Sequence, residues 1–357
     1  MRRAISIVVT ALLAVTVAGT ILRWVNGSST RSVTEVRGVV GSDLNGFFAD
    51  PRVRAEFARR GLDVHVTTAA NGSSGSAVDP PKYDFTFGTS APSSTKGQAR
   101  ASTVPFVTPI TVATSTDVAR TLQRAGVAHD HGGWWTLDMN GFLDLVARHA
   151  TSSVPLTTTE FTASSSPAMY ASIASYVANH DRVLDSPASV DAVVNQVSPL
   201  FLEQRHAAPS TAALLEYYLS KGGAAGAMIL VPEAAFVARA TAHDPAIGSN
   251  TVLVYPDPNM VTKYRFVPMS GTGAAVGHLL GHDQQLQELA ADHGLRSTSR
   301  PASFASVARE HRVAAEPTLG RVIEPPTPAV LSALMTRIDA ALHVGLGPRS
   351  DQAAANE

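Results

Sequence analysis

Hydrophobic positions along this chain alternate between two spacings, one that suits strands and one that suits helices. Closely spaced, β-branched apolar runs predict strands at Val36–Val40, Leu62–Thr68, Tyr83–Phe87, Val154–Thr159, Gly226–Val231 and Thr251–Tyr255. Between them, apolar residues recurring three and four apart predict helices over Leu44–Arg60, Thr116–Arg124, Asn140–His149, Ala168–Ala178 and Pro328–Leu342. Pro51 splits the first of these and Gly61 stops it. Val104–Thr114 is extended and apolar, but Pro105 and Pro109 interrupt it too much for a central ladder strand, so it reads as a segment crossing between domains. Lys263–Met269 reads as the return crossing. Strands alternating with helices in this way predict an α/β fold with a mostly parallel sheet.

One run breaks the alternation. Ala4–Leu22 holds 19 residues without a charge and follows Arg2 and Arg3. A bilayer core needs roughly 20 apolar residues, and flanking basic residues stay on the cytoplasmic side. Residues 1–25 are therefore expected to form a signal anchor, a single transmembrane helix, with 26–32 as a polar linker and everything beyond it extracytoplasmic. The alternative is a secretory signal cleaved near Thr16-Val17-Ala18, which leaves the body secreted.

Composition narrows the partners more than it names one. The chain has 357 residues, enough beyond the anchor for two domains at about 150 residues each. Its net charge of −1 and dispersed arginines give no basic stripe for nucleic acid. It has no cysteine, which excludes disulfides, thiolate metal sites, a catalytic thiol and a lipid-anchoring cysteine. Residues 346–357 are polar and expected to be a disordered tail.

The candidate chemistry lies where strands end. Val36–Val40 runs into Gly41-Ser42-Asp43, Leu62–Thr68 is followed by the loop Asn71-Gly72-Ser73-Ser74-Gly75-Ser76, and Tyr83–Phe87 runs into Gly88-Thr89-Ser90. Ligands of such sheets bind outside the carboxyl ends of the strands, where backbone N–H groups are free. Hydroxyls at a helix start add donors beside the positive end of the helix dipole, a setting for a carboxylate or oxyanion. Ser164-Ser165-Ser166-Pro167 repeats the arrangement, with Pro167 placed as a first helical residue. The competing account is that Ser42, Ser76 and Ser90 are ordinary helix caps or loop residues.

The order of these features resembles the extracytoplasmic solute-binding proteins of the type II periplasmic-binding fold, with phosphate and molybdate binders as the nearest relatives. The residues that carry the resemblance are Val39-Val40-Gly41-Ser42, Gly72-Ser73-Ser74-Gly75-Ser76, Tyr83-Asp84-Phe85-Thr86-Phe87-Gly88, Ser164-Ser165-Ser166, Val231-Pro232-Glu233 with Phe236, and Val254-Tyr255-Pro256-Asp257-Pro258. The resemblance implies two α/β lobes joined by crossing hinge strands: 33–108 plus 265–345 as lobe 1, and 109–264 as lobe 2. It implies a small polar or anionic solute held in the cleft as the lobes close. Carried over by position, Gly41, Ser42, Ser73, Ser74, Ser76, Thr89 and Ser90 face the cleft from one lobe, and Ser164, Ser165 and Glu233 from the other. An ABC-type transporter permease is the partner it implies. The chain departs from the pattern in lacking both a lipidated cysteine and a basic residue inside the Gly-Ser turns.

Other constellations point elsewhere with less support. His278 and His282 sit four apart, yet without the glutamate of a zincin motif, and His129-Asp130-His131 precedes Gly132-Gly133 as a polar turn. No metal and no cofactor is expected. Gly271-Thr272-Gly273 with Gly277 opens a helix after a strand, but the spacing is not that of a dinucleotide loop. Ser93-Ser94-Thr95-Lys96 matches the S-x-x-K pattern of acyl enzymes but lacks the S-D-N and K-T-G companions. Trp134 and Trp135 fit core or hinge packing better than a sugar platform. The expected function is thus a membrane-anchored extracytoplasmic binding protein and not an enzyme. The alternatives are a surface interaction or sensor module without a small ligand, and an acyl enzyme acting through Ser93.

Overall fold

The computed structural model describes residues 33–69, 82–89, 102–148, 156–161, 164–202, 208–222 and 228–345. The expected anchor at 4–22, the linker, the loop 71–76, the Ser93–Lys96 motif and the tail lie outside these residues. Among the described residues no helix is long and apolar enough to cross a membrane.

The strands are β1 (Thr34–Gly41), β2 (Leu62–Ala69), β3 (Phe85–Gly88), β4 (Thr103–Ser115), β5 (Ala128–Asp130), β6 (Trp135–Asp138), β7 (Leu156–Thr157), β8 (Met228–Pro232), β9 (Thr251–Asp257), β10 (Val261–Pro268) and β11 (Arg296–Ser297). The helices of the first half are α1 (Asn45–Ala49), α2 (Pro51–Arg59), α3 (Thr116–Arg124), α4 (Met139–Ala147), α5 (Ser166–Ala178) and α6 (Pro187–Val197). They continue as α7 (Pro199–Leu202), α8 (Thr211–Ser220), α9 (Glu233–Thr241), α10 (Gly271–His282), α11 (Gln284–Asp292), α12 (Pro301–Glu310) and α13 (Pro328–Gly345).

The sheet is mixed, in the order β2-β1-β3-β10-β4-β9-β6-β5, with β11 and β8 also on β4 and β7 on β8. β1 runs parallel to β2 and β3, while β10 is antiparallel to both β3 and β4. Gly38 permits the close β1–β3 contact, because a Cβ there would fall 2.2 Å from the Phe85 ring. Against expectation, β4 is a central ladder strand as well as a crossing. Its prolines are tolerated because the strand changes partners beside them: Pro109 faces Val261 of β10, and β8 and β9 take over from Ile110 and Val112.

Apolar side chains gather on either side of that change. An aromatic core of Phe47, Phe48, Phe57, Phe85, Phe87, Phe106 and Phe266 closes the part built on β1–β3 and β10. A second core joins Val112, Trp135, Leu137, Tyr170, Ile173, Met228 and Val254, and a third joins Leu214, Tyr218, Val231, Phe236, Leu253 and Phe304. The C-terminal helix departs from its expected place beside residues 33–108. Val330, Leu334 and Ile338 of α13 enter the second core, against α5, α6 and α7. Sequence order alone could not assign it, since an amphipathic helix packs wherever an apolar groove is open to it.

Helix starts follow local chemistry. Asp50, Ser115, Asp138, Ser186, Ser210, Ser270 and Asp283 each accept a backbone N–H of the first turn of their helix. Trp135 is buried in the second core, and Trp134 stacks on His131 and meets Tyr255 edge-on.

Candidate functional site

A cavity of about 780 Å³ opens between the two parts of the sheet, walled by the turn after β1 and by the starts of α5, α8 and α9. Ser42 and Thr89 line it from one side, Ser164, Ser165 and Ser166 from the other, with Ser210, Thr211 and Thr262 alongside. Four of the residues singled out from the sequence, Ser42, Thr89, Ser164 and Ser165, thus meet on one space.

The hydroxyls of Ser42 and Ser165 are not spent as caps. Gly41, not Ser42, precedes the 3-10 turn Ser42–Leu44, and Ser165 precedes α5 without a side-chain hydrogen bond to it. Ser164 is partly engaged: its Oγ shares a 2.6 Å hydrogen bond with Thr159 Oγ1 and accepts the Ser166 amide at 3.2 Å. Ser166 Oγ is buried with no hydrogen-bond partner among the described residues. A buried hydroxyl left unpaired costs roughly 1–3 kcal/mol, so this polar wall has capacity that the fold does not use.

Two of the expected residues lie elsewhere. Gly41 is buried at the end of β1 and is not part of the cavity wall. Glu233 is fully buried and turned away, its carboxylate held in a fork by Arg296 at 2.6 and 2.7 Å and accepting the Tyr255 hydroxyl at 2.5 Å. A carboxylate that satisfied has nothing left for a solute, and burying it demanded those partners. Ser73, Ser74, Ser76 and Ser90 lie outside the described residues.

Several wall residues escaped the sequence reading. Asp43 is open to the cavity but surrounded by protein; burial pushes its carboxyl up, against the Tyr264 hydroxyl and the amides of Asp43 and Leu44, which favour its charged form. Burial and the Asp43 charge in turn raise the Tyr264 hydroxyl well above its ordinary value. Arg239 reaches the wall already paired, to Glu216 at 2.8 Å and Asp244 at 2.6 Å. His293 is tied to Asp50 at 3.0 Å and meets Phe47 edge-on. No basic side chain among the described residues pairs with Asp43, so the wall offers hydroxyls and one carboxylate but no uncommitted cation. Pro209-Ser210-Thr211 was legible in principle, since it repeats the hydroxyl-rich helix start seen at Ser164–Pro167.

The remaining motifs are internal. The Gly271-Thr272-Gly273 helix start is filled by the chain's own Asp84, whose Oδ1 accepts from Ser270 Oγ at 2.6 Å and Thr272 Oγ1 at 2.9 Å. Asp130 accepts the amides of Gly132 and Gly133, closing the β5–β6 turn. His278 and His282 stack with ring centres 4.4 Å apart. Among the described residues no three His, Cys, Asp or Glu side chains are grouped to hold a metal.

No protein-family model matches the chain, and the search of curated proteins finds no match. Solved structures do resemble it. An ABC transporter solute-binding protein from Thermotoga lettingae, bound to α-D-tagatose, superposes with a TM-score of 0.58 at 12% identity, covering 88% of this chain and 96% of that one. Another from Agrobacterium vitis, with bound D-mannitol, superposes with a TM-score of 0.52 at 12% identity, over 87% and 94% of the two chains. At these identities the likeness concerns the fold.

Proposed function

We propose that this chain, which has the type II periplasmic-binding fold, is a binding protein that closes without covalent chemistry on a small polar solute between its two lobes. The observation that carries the proposal is the meeting of Ser42 and Thr89 with Ser164, Ser165 and the unpaired Ser166 across one cavity. The lobes are 33–108 with β10, α10 and α11, against the part built on β5–β9, which α13 joins. The two crossings, β4 and the β9–β10 chain, act as the hinge.

The charge of the wall favours a hydrogen-bond-donating solute, hydroxylated or cationic, over an anion. Asp43 repels an oxyanion, and Arg239 is already neutralised by two carboxylates. The two solved structures described above hold a sugar and a sugar alcohol, which agrees with such a solute. The apolar run 4–22 supports anchoring to the cell membrane with the body extracytoplasmic, and delivery to an ABC-type permease follows from that placement.

Thermal shift against a panel of sugar alcohols, amines and oxyanions tests the proposal. A solute at 100 times its Kd stabilises by about 2.7 kcal/mol, and a Ser42→Ala/Ser164→Ala variant should show a smaller gain at the same solute concentration. A melting temperature indifferent to the whole panel favours a surface interaction module. Covalent labelling of Ser93 by a β-lactam favours the acyl enzyme.

A further inference from the structure

A second cavity, of about 470 Å³, adjoins the first and shares Thr89, Ser164, Ser165 and Thr262 with it. Its remaining wall has a different character. Met169, Met260, Val261, Ile323 and Leu331 supply its apolar part, from α5, the start of β10 with the residue before it, and α13 with the segment leading into it. At the junction the Thr262 hydroxyl points to Met169 Sδ at 3.2 Å, so even this polar group is turned onto sulfur. The charged residues of the wall, Lys263 and Glu324, pair with each other at 2.6 Å and leave no net charge for a ligand. An apolar recess opening directly from a hydroxyl-lined one is the shape of a site for a molecule with two unlike ends. Thioether side chains suit such a recess, since they adapt to an aliphatic guest. Both volumes fall within the roughly 300–1,000 Å³ of sites for organic ligands, far more than a tetrahedral oxyanion fills.

We infer that the solute is an organic molecule whose hydroxylated or ammonium head lies against Ser42, Asp43 and Ser164, and whose apolar arm fills the cavity between Met169, Met260 and Leu331. This rests on the solute-binding reading above.

Titration calorimetry of the full chain with N-alkylglucamines, from methyl to hexyl, tests it. The head of each probe carries both hydroxyls and an ammonium, and only the arm grows. Kd should fall about fourfold per added methylene until the recess is full. Ala168→Phe, which narrows the recess from the first turn of α5, should flatten the series. The wild-type series decides the matter even if that variant does not fold. Equal affinity along the series, with N-methylglucamine still bound, overturns the inference and leaves the solute-binding proposal standing. Failure of every glucamine, with failure of sugar alcohols and oxyanions in the same panel, removes both.

Discussion

Glu233 and Ser166 are both buried polar residues at the start of a helix, and the fold treats them in opposite ways. Around Glu233 both carboxylate oxygens are engaged. Arg296 binds both carboxylate oxygens and donates also to the carbonyls of Glu316 and Pro317, while its guanidinium lies 3.9 Å over the Phe304 ring. Tyr255 donates to Glu233 and accepts the Glu316 amide at 3.1 Å. Around Ser166 the hydroxyl is left without a partner among the described residues. A saturated cluster holds parts together: this one ties β11 and β9 to α9 and to the 316–317 segment. An unsaturated wall awaits something from outside.

The largest effect should come from breaking the saturated side. Arg296→Ala strips the buried Glu233 carboxylate of its guanidinium partner and should destabilise by about 3–5 kcal/mol in urea unfolding. Pairing Glu233→Gln with Arg296→Met should recover much of that loss; if the double variant is no more stable than the single one, the cluster is not a charge pair in the energetic sense.

Next in size is the helix start that the chain fills for itself. Gly273 lies so close to Asp84 that a Cβ would sit 1.8 Å from its carbonyl oxygen. Gly273→Ala should cost about 1–3 kcal/mol by displacing the segment that Ser270 and Thr272 hold. A variant melting like the wild type would mean that the Asp84 turn is slack.

Glu316 sharpens the comparison through pH. Burial raises its carboxyl to about 7 from 4.5, with the charges of Glu233 and Asp257 adding to the rise and the Gly320 amide and Arg296 opposing it. The folded state thus prefers the neutral form. Its contribution to stability is complete below about pH 4.5 and is lost as pH rises through about 7. Urea midpoints measured from pH 5 to 8 should show a decline that Glu316→Gln removes; an identical decline in the variant would assign it to another group.

The smallest structural effect belongs to the open wall. Ser42→Ala should change stability by less than about 0.5 kcal/mol, since its hydroxyl serves no partner among the described residues. Solute affinity should nevertheless fall about two- to tenfold, the worth of one neutral hydrogen bond. The reverse pattern, a destabilised chain with unaltered affinity, would make Ser42 a structural residue.

Much of this was legible beforehand because it is local. The spacing of Val36–Val40 and Leu62–Thr68, the stop at Gly61 and the exact span Thr116–Arg124 depend on neighbours a few residues away. Ser42 and Ser164 could be matched by their place after a strand and before a helix. Glu233 was ambiguous in sequence because its pattern, a carboxylate opening a helix after a buried strand, suits either a ligand site or an internal ion pair. Its partner Arg296 lies 63 residues away, where no spacing rule reaches.

Local order therefore came from the chain itself: which stretches are strands, where helices begin, and which turns bear hydroxyls. That follows from backbone sterics and periodicity, which act over a few residues. Only the folded arrangement decided which hydroxyls remain unspent, which helix shelters which core, and that an aliphatic recess continues the polar one. Those outcomes depend on contacts between residues far apart in sequence, and burial there rewards whichever partner the topology delivers.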